Sequence, residues 1–256
     1  MDDAKQLAMQ VFSACGCCVK EILESSDKRA DLLAADDDST YIVEVKHKLD
    51  DSELFRDHAK RMTRGEIVSR SELLAQNNRI GAILKHARDQ LDNTPGPPDA
   101  FRLIWFHADG VDHDLHWKRA FATFYGTVHL LPTNPPQNTV IECFYFDYSA
   151  AVSLQSVNAM ILSNKQTVQL CLNEFSDNVE RFCDTALFQQ FAKMNGVVDP
   201  RESAAKGDIL VCRSPIPRKN DDDVLNALRK QTGILYTVVR LSRHHASAMV
   251  GPENPT

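Results

Sequence analysis

The chain has 256 residues, 43% of them hydrophobic and 25% charged, with a formal net charge of −6. Those values belong to a globular protein with room for one large domain or a domain plus an extension. They exclude a strongly basic, sequence-blind nucleic-acid coat, and no apolar run approaches the length of a membrane span.

The opening residues Met1, Asp2, Asp3, Ala4 and Lys5 lack the basic and apolar regions of a signal peptide, so a cytoplasmic protein is expected. The seven cysteines are an odd number. Cys15, Cys17 and Cys18 cluster, while Cys143, Cys171, Cys183 and Cys212 are scattered. They read as buried, reduced thiols rather than as zinc or iron–sulfur ligands.

Residues 4–24 carry Leu7, Ala8, Val11, Phe12, Cys15, Val19, Ile22 and Leu23 at helical spacing, with Glu21 and Glu24 on one face near the end. Two short strands follow. Arg29, Ala30, Asp31, Leu32, Leu33 and Ala34 form the first, and Tyr41, Ile42, Val43, Glu44, Val45 and Lys46 the second. The acidic turn Asp36, Asp37, Asp38 and Ser39 joins them. Strand alternation puts Ile42, Glu44, Lys46 and Lys48 on one face and Tyr41, Val43 and Val45 on the other. If the hairpin pairs, Asp31 comes near Glu44. Two carboxylates beside one amine suit a hard divalent cation and a water. The plain alternative is a solvated, charge-paired strand face.

A long helix is predicted over 66–91, ended by Asn93, Thr94, Pro95, Gly96, Pro97 and Pro98. The basic residues Lys48, Arg56, Lys60, Arg61, Arg64, Arg70, Arg79 and Lys85 fall around it. They suit phosphate contacts, or equally a solvated face, because Asp57, Glu66 and Glu72 are interleaved. Residues 101–106 read as a strand covered on both faces. A further strand of the meander is expected at 47–55. Residues 107–116 are dense in His and Asp. They suggest a turn at Asp109-Gly110 and a helix capped by Asp112 or Asp114, with the histidines at its start. A metal-binding phosphohydrolase is the competing reading of that segment.

Beyond a helix at 115–125, strands are expected at 127–132, 139–148, 168–172, 207–213 and 234–241. Helices are expected at 177–193 and after Asp221, and the tail from His244 is expected to be disordered. Phe144, Phe146 and Tyr148 read as core rather than as base-stacking residues. No repeat, Gly-rich phosphate loop or serine-nucleophile elbow is found.

The order of helix, Asp31, Glu44-Val45-Lys46, helix and strand resembles the PD-(D/E)xK nuclease superfamily over roughly residues 4–107, with Ala30 where that family often has Pro. The resemblance implies an α/β fold: a restriction-endonuclease-like mixed central sheet flanked by helices. Residues 1–131 would be the nuclease-like core, 132–243 an α+β extension or interaction region, and 244–256 a flexible tail. It implies Asp31, Glu44 and the Val45 carbonyl as ligands of Mg²⁺ or Mn²⁺, helped by Glu21 or Glu24, with Lys46 orienting the attacking water. The expected activity is phosphodiester hydrolysis, in DNA more than RNA, as the effector of a bacterial anti-phage defence system directed by a protein partner or by homo-oligomerisation. The alternative is a non-catalytic scaffold retaining this fold.

Overall fold

The first helix, α1 (Asp3–Ala14), ends where Gly16 adopts φ +90°, so the helix expected to reach residue 24 stops early. The computed structural model describes residues 3–22, 29–134, 139–240 and 243–248. After Gly16 the chain enters β1 (Cys18–Glu21), which pairs antiparallel with β2 (Leu32–Ala35). β2 pairs antiparallel with β3 (Thr40–Lys48). The third strand of the meander therefore precedes the hairpin rather than following it at 47–55. Glu21 lies on a strand, not on a helix, and Glu24 falls outside the described residues.

The stretch expected as one helix over 66–91 is divided. After α2 (Ser52–Met62), β4 (Val68–Leu73) is a strand, and α3 (Asn78–Asp92) starts only at Asn77. The Asn77 side chain accepts from the Arg79 and Ile80 N–H groups, which satisfies orphan donors of the first turn. Asn77 is thus a helix start that the apolar spacing of Ile67 and Leu73 conceals. β4 pairs antiparallel with β13 (Arg243–Ala248), so this part of the expected tail is a strand.

β5 (Phe101–Ala108) is close to its expected bounds, and α4 (His113–Tyr125) ends at Gly126 as anticipated. β6 (Val128–Asn134) and the short β7 (Ile141–Phe144) follow. After α5 (Ala150–Ser153) comes β8 (Ala159–Ser163), entirely buried and without the polar alternation that marks a strand. β9 (Val168–Leu172) matches expectation. The helix expected over 177–193 is two, α6 (Val179–Cys183) and α7 (Ala186–Lys193), because Thr185 caps the second by accepting from Phe188 N–H. Between β9 and β13 lie β10 (Val197–Val198), α8 (Pro200–Lys206), β11 (Ile209–Val211), α9 (Asp221–Thr232) and β12 (Leu235–Val239), after α7.

Among the described residues, the main sheet has the order β1-β2-β3-β5-β8-β9-β10, and β11-β7-β6-β12 form a second sheet. β3, β5 and β8 are parallel neighbours at the centre. This is a mixed α/β architecture in which strands at 159–198 return to the sheet built by residues 18–108. Its two faces are apolar. Ile42, Ile104, Phe106 and Leu162 pack with Ile80, Leu84, Ala87 and Leu91 of α3 and with α4. Tyr41, Val43, Val45, Leu103, Trp105 and Ile161 pack with Ala4, Ala8 and Phe12 of α1 and with α7. The alternation read along 41–46 therefore holds, but both faces are covered. Phe144 and Phe146 are core as expected, whereas Tyr148 is exposed.

Gly126 ends α4 with φ +61°, and a Cβ there would meet the Asp147 carbonyl oxygen at 2.5 Å. Its carbonyl accepts from the N–H groups of Phe146 and Asp147, which docks the 145–147 loop on the helix end. A Gly126→Ala variant is expected to lose about 1–3 kcal/mol from left-handed backbone strain and this clash. Urea unfolding checks it, and an unchanged midpoint would show that the loop yields freely.

Candidate active site

Asp31 stands immediately before β2. Its N–H donates to Val43 O at 3.1 Å and its carbonyl accepts from Ile22 N–H at 2.8 Å, so its backbone is fixed between β1 and β3. Its Oδ2 accepts from Val45 N–H at 2.8 Å, and its Oδ1 pairs with Lys5 Nζ of α1 at 2.6 Å. Within a strand the N–H and C=O of one residue point to the same side. The Val45 carbonyl therefore points toward Asp31, past the end of β2.

Glu44 lies on the α3 face of β3 and is 1% exposed. Its Oε1 accepts from Lys46 Nζ at 2.5 Å, while Oε2 is buried with no hydrogen-bond partner. Burial, with the neighbouring Asp31 carboxylate adding to it and Lys46 opposing it, pushes the Glu44 carboxyl up to about 7. Asp31, Glu44 and Lys46 thus converge as their spacing suggests.

Glu21 does not join them. It pairs with Leu32 on β1, and paired residues share a face. That face is the α1 side, opposite Glu44, and the Glu21 side chain is exposed.

Sequence reasoning misses Gln90. Its Oε1 accepts from Lys46 Nζ at 2.6 Å, and its Nε2 donates to Arg29 O at 3.2 Å. One helix residue thereby aims the lysine and braces the segment leading to Asp31. Thr94 reinforces the brace, accepting from Ala30 N–H and donating to Gln90 O, both at 2.7 Å. The available signal is an amide on an apolar stripe: Gln90 lies three residues after Ala87 and seven after Ile83.

The His- and Asp-rich segment splits between elements. His107 is on β5 rather than at the helix start, while His113 and His116 are in the first turn of α4. Asp112 occupies the N-cap position without a side-chain capping bond. Asp50, just past β3, instead holds the 110–112 loop. It accepts from Val111 N–H at 2.6 Å, Asp112 N–H at 3.2 Å and His116 Nε2 at 3.1 Å. Burial, with Lys48 nearby, holds His116 below its ordinary range.

His107 adjoins His47 of β3, their ring centroids 5.3 Å apart. His47 Nε2 lies 3.5 Å from Asp109 Oδ2. Asp109 is held down to about 2 by the Gly110 N–H, with Lys165 and His47 adding to the effect. Sequence reasoning overlooks His47. It also passes over the Cys-x-x-Cys spacing of Cys15 and Cys18, which join no metal-ligand cluster among the described residues.

No protein-family model matches this chain, and neither the curated proteins nor the solved structures yield a significant match to it.

The raised Glu44 value carries a sign for stability. Its folded pKa, about 7, exceeds the ordinary 4.5. Glu44 thus favours the native state fully below about pH 4.5, and this contribution is lost as pH rises through about 7. Glu44→Gln is therefore expected to stabilise the metal-free protein above pH 7, by about 1–3 kcal/mol, and to have a smaller stabilising effect near pH 4.5. Urea midpoints of both proteins across that range test this. A difference independent of pH would show that Glu44 titrates normally.

Proposed function

We propose that this chain is a metal-dependent nuclease of restriction-endonuclease-like fold that hydrolyses phosphodiester bonds, with DNA as the default substrate. The observation that carries the reading is the convergence of the Asp31 and Glu44 carboxylates beside Lys46, with Glu44 Oε2 buried and lacking a donor. A buried acid left half-satisfied is costly unless something else completes it. The order α1, β1–β2–β3, α3, β5, with α2 and β4 inserted between β3 and α3 and with β5 parallel to β3, supports the same fold assignment.

The donor set is all oxygen, from Asp31, Glu44 and the Val45 carbonyl, which fits Mg²⁺ or Mn²⁺. Such an ion supplies Lewis-acid polarisation of the phosphate and lowers the pKa of a water. Lys46 orients the water and offsets charge building on the phosphoryl oxygens. Gln90 is a positioning residue that holds the Lys46 ammonium. Lys5, paired with Asp31 here, would give up that partner to a cation held by the Asp31 carboxylate. The exposed Arg56, Lys60 and Arg64 of the 52–64 region offer phosphate contacts. The net charge of −6 favours weak intrinsic nucleic-acid affinity. That suits an effector in a defence system, directed to its substrate by a partner or by self-assembly.

With Mg²⁺ or Mn²⁺, wild type is expected to cleave plasmid DNA. Lys46→Ala should be at least about 100-fold slower, with the fold retained by circular dichroism and a melting temperature lowered by the loss of the Glu44 and Gln90 hydrogen bonds. Gln90→Ala should lose about tenfold, with a larger effect on kcat than on KM. Equal cleavage by wild type and Lys46→Ala would remove this site from the chemistry. A melting temperature raised by Mg²⁺ in wild type but not in Glu44→Gln tests the cation site where cleavage awaits a partner. No Mg²⁺ effect in either protein, with no cleavage, would refute the assignment.

A further inference from the structure

We infer that His47, His107 and Asp109 form a second metal site, on the opposite face of the sheet from Glu44. It takes a divalent transition ion of the zinc type and leaves a coordination position open to water. One potential ligand atom from each residue lies within 4.8 Å of the others. Tetrahedral ligands at bonds of about 2.0–2.2 Å sit roughly 3.4 Å apart. A shift of about an ångström by the partly exposed His47 and Asp109 closes the shell.

The placement is set by the fold. His47, His107 and Ser163 are register partners across β3, β5 and β8. They lie at the carboxyl ends of three parallel strands, where open α/β sheets place ligands. Alternation puts all three on the face of Val45, Trp105 and Ile161, whereas Glu44 and Lys46 face α3.

The surroundings also assign the ligand atoms. Ser163 Oγ lies 2.9 Å from His107 Nδ1 and 3.5 Å from Phe106 O; with its proton turned to that carbonyl, it would accept from Nδ1–H. The His107 lone pair is then on Nε2. A hydrogen bond that fixes the tautomer in this way is the usual support of a metal-binding histidine. Asp109 Oδ1 accepts from Gly110 N–H at 2.6 Å and Lys165 Nζ at 3.1 Å, which turns Oδ2 toward His47 Nε2. Two neutral imidazoles and one carboxylate suit zinc, cobalt or iron(II) over magnesium. Three protein ligands leave the remaining position open.

The test is equilibrium binding of Zn²⁺ to the full chain, with Co²⁺ absorption as the coordination probe and Mg²⁺ in excess to fill oxygen sites. Wild type is expected to bind one Zn²⁺ and to give the visible bands of imidazole-ligated Co²⁺. His47→Ala and Asp109→Asn should weaken Zn²⁺ by more than about 100-fold, and Ser163→Ala by roughly tenfold. Glu44→Gln and Lys46→Ala should bind as wild type does. Because His107 is buried, the partly exposed His47 and Asp109 variants carry the decision, with melting curves recorded metal-free as the fold control. Zn²⁺ bound equally by wild type, His47→Ala and Asp109→Asn would overturn the inference. So would Zn²⁺ binding abolished by Glu44→Gln. None of these readouts depends on nuclease activity, so failure here and failure of the nuclease reading are separable.

Discussion

β2 begins at Leu32, so it ends before it can offer a backbone carbonyl to the Val45 N–H of β3. A buried N–H without an acceptor costs about 1–3 kcal/mol. Asp31 Oδ2 fills the position, extending the ladder by one side chain where the backbone has turned away. That hydrogen bond draws the Asp31 carboxylate across to β3, next to Glu44. It also leaves the Val45 carbonyl directed at the same space. The pairing of Leu32 with Val43 fixes which face receives what, since a one-residue slip would send Glu44 and Lys46 to the α1 side and Val45 to the α3 side. Tyr41 and Val43, both fully buried against α1, oppose such a slip.

The polar groups at this end of the sheet form a chain that begins on the Arg29 backbone carbonyl and ends on the Glu44 carboxylate. Arg29 O accepts from Gln90, Gln90 accepts from Lys46, and Lys46 donates to Glu44. Thr94 ties Ala30 to the end of α3 within the same unit. The lysine is oriented from two sides, so little rotamer freedom remains to it. One acceptor, Glu44 Oε2, stays without a donor in this otherwise paired set. Adding a carboxylate-binding cation removes both the unsatisfied oxygen and the Asp31–Glu44 repulsion, which is why the raised carboxyl and the oxygen-only donor set point to one cause.

The convergence of Asp31, Glu44 and Lys46 was readable from sequence because they sit on or beside two strands joined by a short turn, where period-two alternation decides direction. Gln90 was not, since it reaches Lys46 across 44 residues and its helical position looks like a packing site. His47 was hidden for another reason. It neighbours Lys46 on the strand but serves the other face, and its partner His107 is set by parallel register, which sequence does not display. Elements failed where one signal masked another. Gly16 interrupts a helical pattern that continues through Val19 and Ile22. β8 is buried on both faces and so lacks alternation. β4 owes its pairing to β13, far away in the chain.

β3 carries both candidate sites on successive residues, Lys46 facing α3 and His47 facing the other layer. The two donor sets differ in kind. Carboxylate and carbonyl oxygens favour a hard ion that keeps its waters, and imidazoles favour a borderline one. The backbone between them is held on one side by Asp31 Oδ2 at Val45 N–H and on the other by Asp109 N–H at Lys48 O, 2.9 Å away. Each candidate site thus contributes one carboxylate-bearing residue to pinning the carboxyl half of β3. An ion bound by His47 and Asp109 would stiffen the strand end that carries Lys46. Stiffening of that kind acts on orientation and leaves the oxygen ligands of the first site unchanged.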